Sequence, residues 1–368
     1  MKKKFDKFKK SSVIAATFLL INLNLYSQTN SADTTIKQKP ISMTGFIDFY
    51  YSHNFANPAD RANKYRNFDV SSKEFNLSLA ELVVQRPAEP VGFRLDLDFG
   101  PTTDLVHTGD SMKINETYKY IQQAYLSVVV PIGKGLTING GKMVTHMGAE
   151  VIESYLNINY SRSLLFAYAI PYYHVGICAL YPFSEKFSVT GYIMNGWNRS
   201  TENNTKKTFG GSVSWLPKDN LNIIGNWIGG AEETNTDNRR NVLEAIMNYT
   251  AGNNLSFVFD GVYGNERLLT NDIQIWKGTA ITGKYSFSDI TALALRAEVF
   301  SDPQGYMTGT AQDLKEITLT YEFKYLSNLI LRLEYRRDWS TVNTFNNSDG
   351  INKIDNQNTI LLGSVITF

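Results

Sequence analysis

Residues 91–99 place Val91, Phe93, Leu95, Leu97 and Phe99 alternately with Gly92, Arg94, Asp96 and Asp98, so every charge falls on one face of an extended segment. Residues 317–325 repeat the pattern: Ile317, Leu319, Tyr321, Phe323 and Tyr325 oppose Thr318, Thr320, Glu322 and Lys324. In residues 329–336, Leu329, Leu331, Leu333 and Tyr335 oppose Ile330, Arg332, Glu334 and Arg336. That second row is too charged to be buried without dense pairing, which implies that water reaches it. A period of two over nine to eleven residues is what a tilted strand needs to cross a bilayer with one face in lipid and the other in water.

About sixteen such segments follow one another, and their connections differ in length. Residues 86–90, 131–135, 182–186, 217–220, 251–254, 287–289 and 326–328 read as short turns. Between them lie long polar loops, such as residues 54–72, 100–116, 145–170, 199–207, 232–240, 302–312 and 340–356. Short turns on one rim and long loops on the other are the habit of transmembrane barrels. Seven turns and eight loops give sixteen antiparallel strands in an all-β, up-and-down barrel, with both ends on the short-turn side. The last strand runs through Ile360, Leu362, Ser364, Ile366 and Phe368. Its terminal aromatic, with Ile366, resembles the C-terminal assembly signal of outer-membrane barrels.

The N-terminus is of another kind. Lys2, Lys3, Lys4, Lys7, Lys9 and Lys10 precede a short apolar core at residues 13–25, which reads as an export signal cut after Ser27. The expected organisation is a signal peptide at 1–27, a polar periplasmic leader at 28–40 and a barrel at 41–368. Removing the signal leaves 30 Lys and Arg against 34 Asp and Glu, a formal charge of −4. No basic surface for nucleic acid survives. Outside the N-terminus no apolar run is long enough for a helical span, and the mean hydropathy of −0.24 agrees. A strand that is apolar only at alternate positions escapes such averaging.

Composition narrows the chemistry. Aromatics reach 13% and charged residues only 19% of the 368 positions, against about a quarter charged in an average soluble domain. The tryptophans, Trp197, Trp215, Trp227, Trp276 and Trp339, fall near strand ends, where rings favour lipid headgroups. The single Cys178 forms no internal disulfide, and His53, His107, His146 and His174 lack a second ligand at metal spacing, so no cofactor or metal is expected. No catalytic set is expected either; beside Tyr172 and Tyr173, His174 reads as a structural histidine.

Several stretches resemble the OmpL-like β-barrel porin family of Gram-negative bacteria: GFIDFYY at 45–51, GFRLDLDFG at 92–100, residues 140–166, then Pro171, His174, Gly176 and MNGWN at 194–198. The resemblance implies an outer-membrane porin through which small hydrophilic solutes diffuse passively. Pore-lining candidates are Arg94, Asp96, Asp98, Arg296, Glu298, Glu322, Lys324, Arg332, Glu334 and Arg336. Their mixed signs predict no strong ion selectivity, and the mature charge of −4 leans weakly toward cations. The connection at 145–170 is the candidate constriction, with Glu150, Glu153, Tyr155, Tyr160 and Arg162 able to set a transverse field if it enters the lumen, or to lie over the rim if it does not. Expected partners are outer-membrane lipid, the barrel assembly machinery and the solutes; a homotrimer is left open. The alternatives are a substrate-specific channel, or a plugged barrel serving as adhesin, structural protein or lipid-modifying enzyme. A soluble secreted β protein would have no use for the greasy second face of residues 91–99.

Overall fold

The computed structural model describes residues 39–110, 116–234 and 237–368. The proposed export signal, and the leader up to residue 38, lie outside the described residues. Sixteen antiparallel strands close into one barrel. They are β1 Ser42–Asn54, β2 Phe75–Arg86, β3 Val91–Phe99, β4 Ile121–Val130, β5 Leu136–Val144, β6 Tyr173–Ser184, β7 Phe187–Met194, β8 Thr208–Lys218, β9 Leu221–Ala231, β10 Arg239–Ala251, β11 Leu255–Arg267, β12 Ile273–Ser286, β13 Thr291–Asp302, β14 Gln312–Leu326, β15 Leu329–Ser340 and β16 Asn356–Thr367. Each pairs with its neighbours in sequence, and β16 returns to β1 with Phe46 opposite Thr367 and Asn54 opposite Thr359. Closure leaves no unpaired edge in the sheet, as a span through lipid requires.

The seven short turns fall where the sequence places them. The eighth connection of the opposite rim, residues 268–272 between β11 and β12, is as short as those turns, which is why no long polar stretch announces it. Both ends of the barrel sequence lie at the short-turn rim: Ser42 pairs with Gln85 beside the first turn, and Phe46 pairs with Thr367.

Outside, alternate residues expose apolar side chains, among them Leu243 and Met247 on β10, Leu295 and Val299 on β13, Ile317 and Leu319 on β14, and Leu362 on β16. At the short-turn rim Phe183, Trp215, Tyr285, Phe287 and Tyr325 stand exposed as an aromatic belt, the position that rings take at a membrane interface. Trp197 and Trp276 depart from the expected girdle. Trp276 is fully buried inside the barrel, its indole N–H donating to the Ala169 carbonyl at 3.2 Å. Trp197 lies edge-on to it, and the Arg240 guanidinium lies over both rings.

The inward face also departs from simple alternation. Tyr50, Met194, Ile228, Val242, Val262, Phe300 and Leu314 are wall residues buried in one apolar cluster with Leu164, Leu165, Phe166 and Ile170 of the segment 145–170. Tyr65 and Phe68 of the first outer loop, Val106 of the helix α1 (Pro101–Val106) and Phe345 of the last loop join them. Inward apolar residues in such numbers need something dry to pack on, and the inserted loops supply it.

Candidate functional site

The segment 145–170 leaves β5 and reaches the opposite wall through the barrel. Apart from a turn at Ser154–Leu156 and a π-helical turn at Leu165–Ala169 it has no regular structure. A buried, irregular backbone must find partners for its amides and carbonyls elsewhere. The wall provides both kinds.

Arginines hold the carbonyls. Arg332 on β15 donates to Ser154 O and Asn157 O, each at 2.6 Å. Arg296 on β13 donates to Ser161 O at 2.8 Å and Arg336 on β15 to Arg162 O at 2.6 Å. Glutamates take the amides. Glu334 on β15 accepts from the N–H groups of Tyr160 (2.7 Å) and Ser161 (3.0 Å). Glu298 on β13 accepts from Leu164 (2.7 Å) and Leu165 (2.6 Å), and Glu244 on β10 accepts from Gly148 at 2.9 Å. These contacts lie near the middle of their strands, so the segment crosses the interior at mid-height.

The expectation that water must reach the charged row of β15 therefore needs correcting. Arg332, Glu334 and Arg336 are at most 2% exposed, and dense pairing does what hydration was expected to do. Arg332 also binds Glu322 (2.8 Å), Arg296 binds Glu316 and Glu150 (both 2.6 Å), and Arg336 binds Asp338 (2.7 Å). Charge-assisted bonds are the strong ones in such a site.

Of the remaining sequence candidates, Arg94 and Asp96 on β3 pair with each other at 2.9 Å, and Asp98 is buried beside them. Lys324 sits near the short-turn rim, half-exposed, 3.8 Å from Glu322. Within the loop, Glu150 is neutralised by Arg296 rather than left to face an arginine across open space. Glu153 is buried. Tyr155 packs on Phe46 with ring centroids 5.0 Å apart. The Tyr160 hydroxyl donates to Asp48 Oδ1 on β1 at 2.7 Å. Arg162 turns back onto its own loop, donating to the carbonyls of Val151, Ile152 and Tyr160 with its guanidinium over Phe68.

Sequence reasoning missed Asp48, Glu81, Glu244 and Asp260, all inward and buried. Asp48, Glu81 and Glu244 are each the one acid of their strand, and Asp260 shares β11 with Glu266, a signal present but unweighted. It also missed what surrounds the histidines. His107 donates Nδ1–H to Thr103 O at 2.7 Å and accepts at Nε2 from the Lys142 ammonium at 2.6 Å. His146 donates to Trp227 O at 3.0 Å and accepts from His174 at 3.2 Å. Both arrangements fasten loops to the wall. Among the described residues no group of histidine, cysteine and carboxylate side chains is arranged to hold a metal ion.

The sequence matches the model of the family described as "Putative beta-barrel porin-2, OmpL-like" over residues 40–368. The chain belongs to this family. It is an outer-membrane porin, and its barrel is similar to several solved outer-membrane proteins. An anion-selective porin from Comamonas acidovorans shares 10% identity with a TM-score of 0.62, covering 89% of this chain and 99% of that one. The outer membrane channel DcaP of Acinetobacter baumannii shares 10% identity with a TM-score of 0.60, covering 89% and 97%. OmpT, an outer membrane protein of Vibrio cholerae, in its trimer form, shares 13% identity with a TM-score of 0.55, covering 89% and 99%. At these identities the likeness is one of fold. Among curated proteins none matches the sequence.

Proposed function

We propose that the porin passes small hydrophilic solutes by diffusion through a narrow passage left between the inserted segment 145–170 and the barrel wall. The observation that carries this is the anchoring of that segment across the lumen by Arg296, Glu298, Arg332, Glu334 and Arg336. In this reading those five residues brace the constriction, Glu153 and Tyr155 lie at its loop side, and Arg94, Asp96 and Asp98 line the facing wall. Glu322 and Lys324 would line the exit. A fixed, narrow eyelet passes solutes by size first and by lining charge second. Planar-bilayer recording of the purified porin tests it: small, steady, ohmic steps are expected, and complete absence of conductance in folded barrels would refute it.

The dense interior also favours a second reading, a channel specific for one solute class. Saturable transport and block of the steps by that solute would select it over general diffusion.

We further infer that residues 1–27 direct export, that the barrel's ends face the periplasm, and that Ile366 and Phe368 act in assembly. Sequencing the N-terminus of the membrane-extracted protein tests the first, with Gln28 expected. A homotrimer is supported by a flat outward row in which Gly225, Ala245 and Gly261 lie side by side on β9, β10 and β11. Native mass measurement in detergent would reveal a monomer if that is wrong.

A further inference from the structure

The outer wall of the barrel is uneven in charge. On the half of the strands nearer the long-loop rim, outward positions carry Lys, Arg, Asp or Glu on β10–β12, β14 and β15 alone among the described residues. They are Arg239, Arg267, Lys277, Lys315 and Arg337, against the single acid Asp313, and all six are exposed. Arg239 and Arg267 end their strands. Lys277, Lys315 and Arg337 lie deeper, four residues from Ile273, three from Gln312 and three from Ser340 at the strand ends. In the strand register Lys277 stands opposite Tyr263 on β11 and Lys315 opposite Trp339 on β15, and the Arg337 guanidinium lies over the Trp339 ring. Rings at this height mark the level of the lipid headgroups.

Among the described residues none of these three cations takes part in an ion pair, and Asp313, two residues before Lys315, reaches neither lysine. In water an unpaired lysine needs nothing further. On a lipid-facing wall its stem lies along hydrocarbon and its ammonium is driven up among the headgroups, where an anionic headgroup is the favourable neighbour. Both lysines line a groove of about 870 Å³ on the outer wall, flanked by Leu243, Tyr263 and Val299, where the small side chains of Ala245 and Gly261 leave the wall low. A cationic end above an apolar trough matches a lipid that carries phosphate. A second copy of the chain matches it less well: the one acid at these outward positions, Asp313, belongs to the patch itself, so a copy packed wall to wall brings no complementary carboxylate from its strands.

We propose that Lys277, Lys315 and Arg337 bind the phosphate of an anionic lipid of the outer leaflet, whose acyl chains lie in the groove below. The site is on the outside of the barrel and owes nothing to the passage within. The groove shares Ala245 and Gly261 with the row offered above to a neighbouring copy, so the lipid sits at the edge of that contact, on the side of β12–β14.

The test is native mass measurement of the full porin released from phosphatidylcholine nanodiscs that contain lipid A, in its bisphosphorylated or its dephosphorylated form. Wild type and K277Q/K315Q are compared, with heat-dependent gel mobility as the check of folding. A nanodisc offers the lipid on both faces, so the result does not depend on which rim lies outside the cell. Retention of the bisphosphorylated lipid by the wild type is expected, with an affinity on the order of tenfold lower in the double variant. Equal retention of the two forms by the wild type, or of neither, overturns the proposal. Undiminished retention in the folded double variant also overturns it, and a changed oligomeric state in that variant would then assign the patch to a contact between copies. If the double variant does not fold, salt decides on the wild type: retention that falls as salt rises supports the site, and retention indifferent to salt overturns it.

Discussion

The ring of Tyr160 rests on Gly363, so closely that a Cβ on Gly363 would stand 2.4 Å from Cδ2 of the ring. At the other end of the side chain the hydroxyl is bonded to Asp48 on the neighbouring strand β1. The inserted segment is thus seated on β16 and β1 through one aromatic side chain, and glycine is what makes room for it.

Substituting Gly363→Val should therefore unseat the segment without breaking the sheet, since β16 keeps its main-chain pairing and gains a residue of good strand propensity. Lifting the ring forfeits its packing and the Asp48 bond, together about 2–4 kcal/mol. The expected result is larger and noisier single-channel conductance with a barrel that still resists SDS at room temperature. Conductance equal to wild type in a folded variant would show that Tyr160 does not brace the passage.

Glu298 and Glu334 each accept two consecutive loop amides. Bonds to a charged acceptor contribute about 1.5–3 kcal/mol apiece, and Glu→Ala at either position strands buried amides as well. The double variant E298A/E334A should raise the conductance more than either single one. Protease accessibility of residues 145–170 in the folded barrel should rise in parallel; a segment that stays protected would contradict this account.

How much of this could be read in the sequence depends on the range of the interaction. Strands were legible because alternation is local: in residues 91–99 the face of each side chain follows from its neighbour. Turns were legible where length contrasted, and the connection at 268–272 was hidden because it is short. The inward path of 145–170 was not decidable, since it depends on Arg332, Glu334 and Glu298, more than 130 residues away in the chain. For the same reason Trp276 read as a lipid-facing ring: its real partner, Ala169, belongs to that segment.

Asn159 donates to the Thr320 hydroxyl of β14 at 2.7 Å, so cysteines at the two positions would face each other where loop meets wall, and a disulfide joins them if their Cα atoms approach to within about 7 Å. In N159C/T320C, with Cys178 replaced by serine, the cross-link should form on oxidation and leave the conductance at the wild-type level while reducing its fluctuations. Reduction should restore the noise. Failure of the two thiols to join under oxidant would place the segment elsewhere.

Phe368 closes the barrel seam: its N–H donates to Gly45 O and its O accepts from Gly45 N–H, both at 2.9 Å. Its ring lies over Gly45, where a Cβ would come within 2.6 Å of Cζ. Two roles are thus superposed on one residue, a structural clasp and an assembly signal, and they separate by experiment. Deleting Phe368 removes both; Phe368→Ala keeps the main-chain clasp and removes only the ring. If the ring serves chiefly as a signal, F368A should refold from urea into detergent with wild-type yield yet reach the outer membrane of cells at a several-fold lower level. If it serves chiefly as packing, worth about 1 kcal/mol for a phenylalanine that is 65% exposed, refolding yield and cellular level should fall together. Normal levels in both assays would remove Phe368 from assembly altogether.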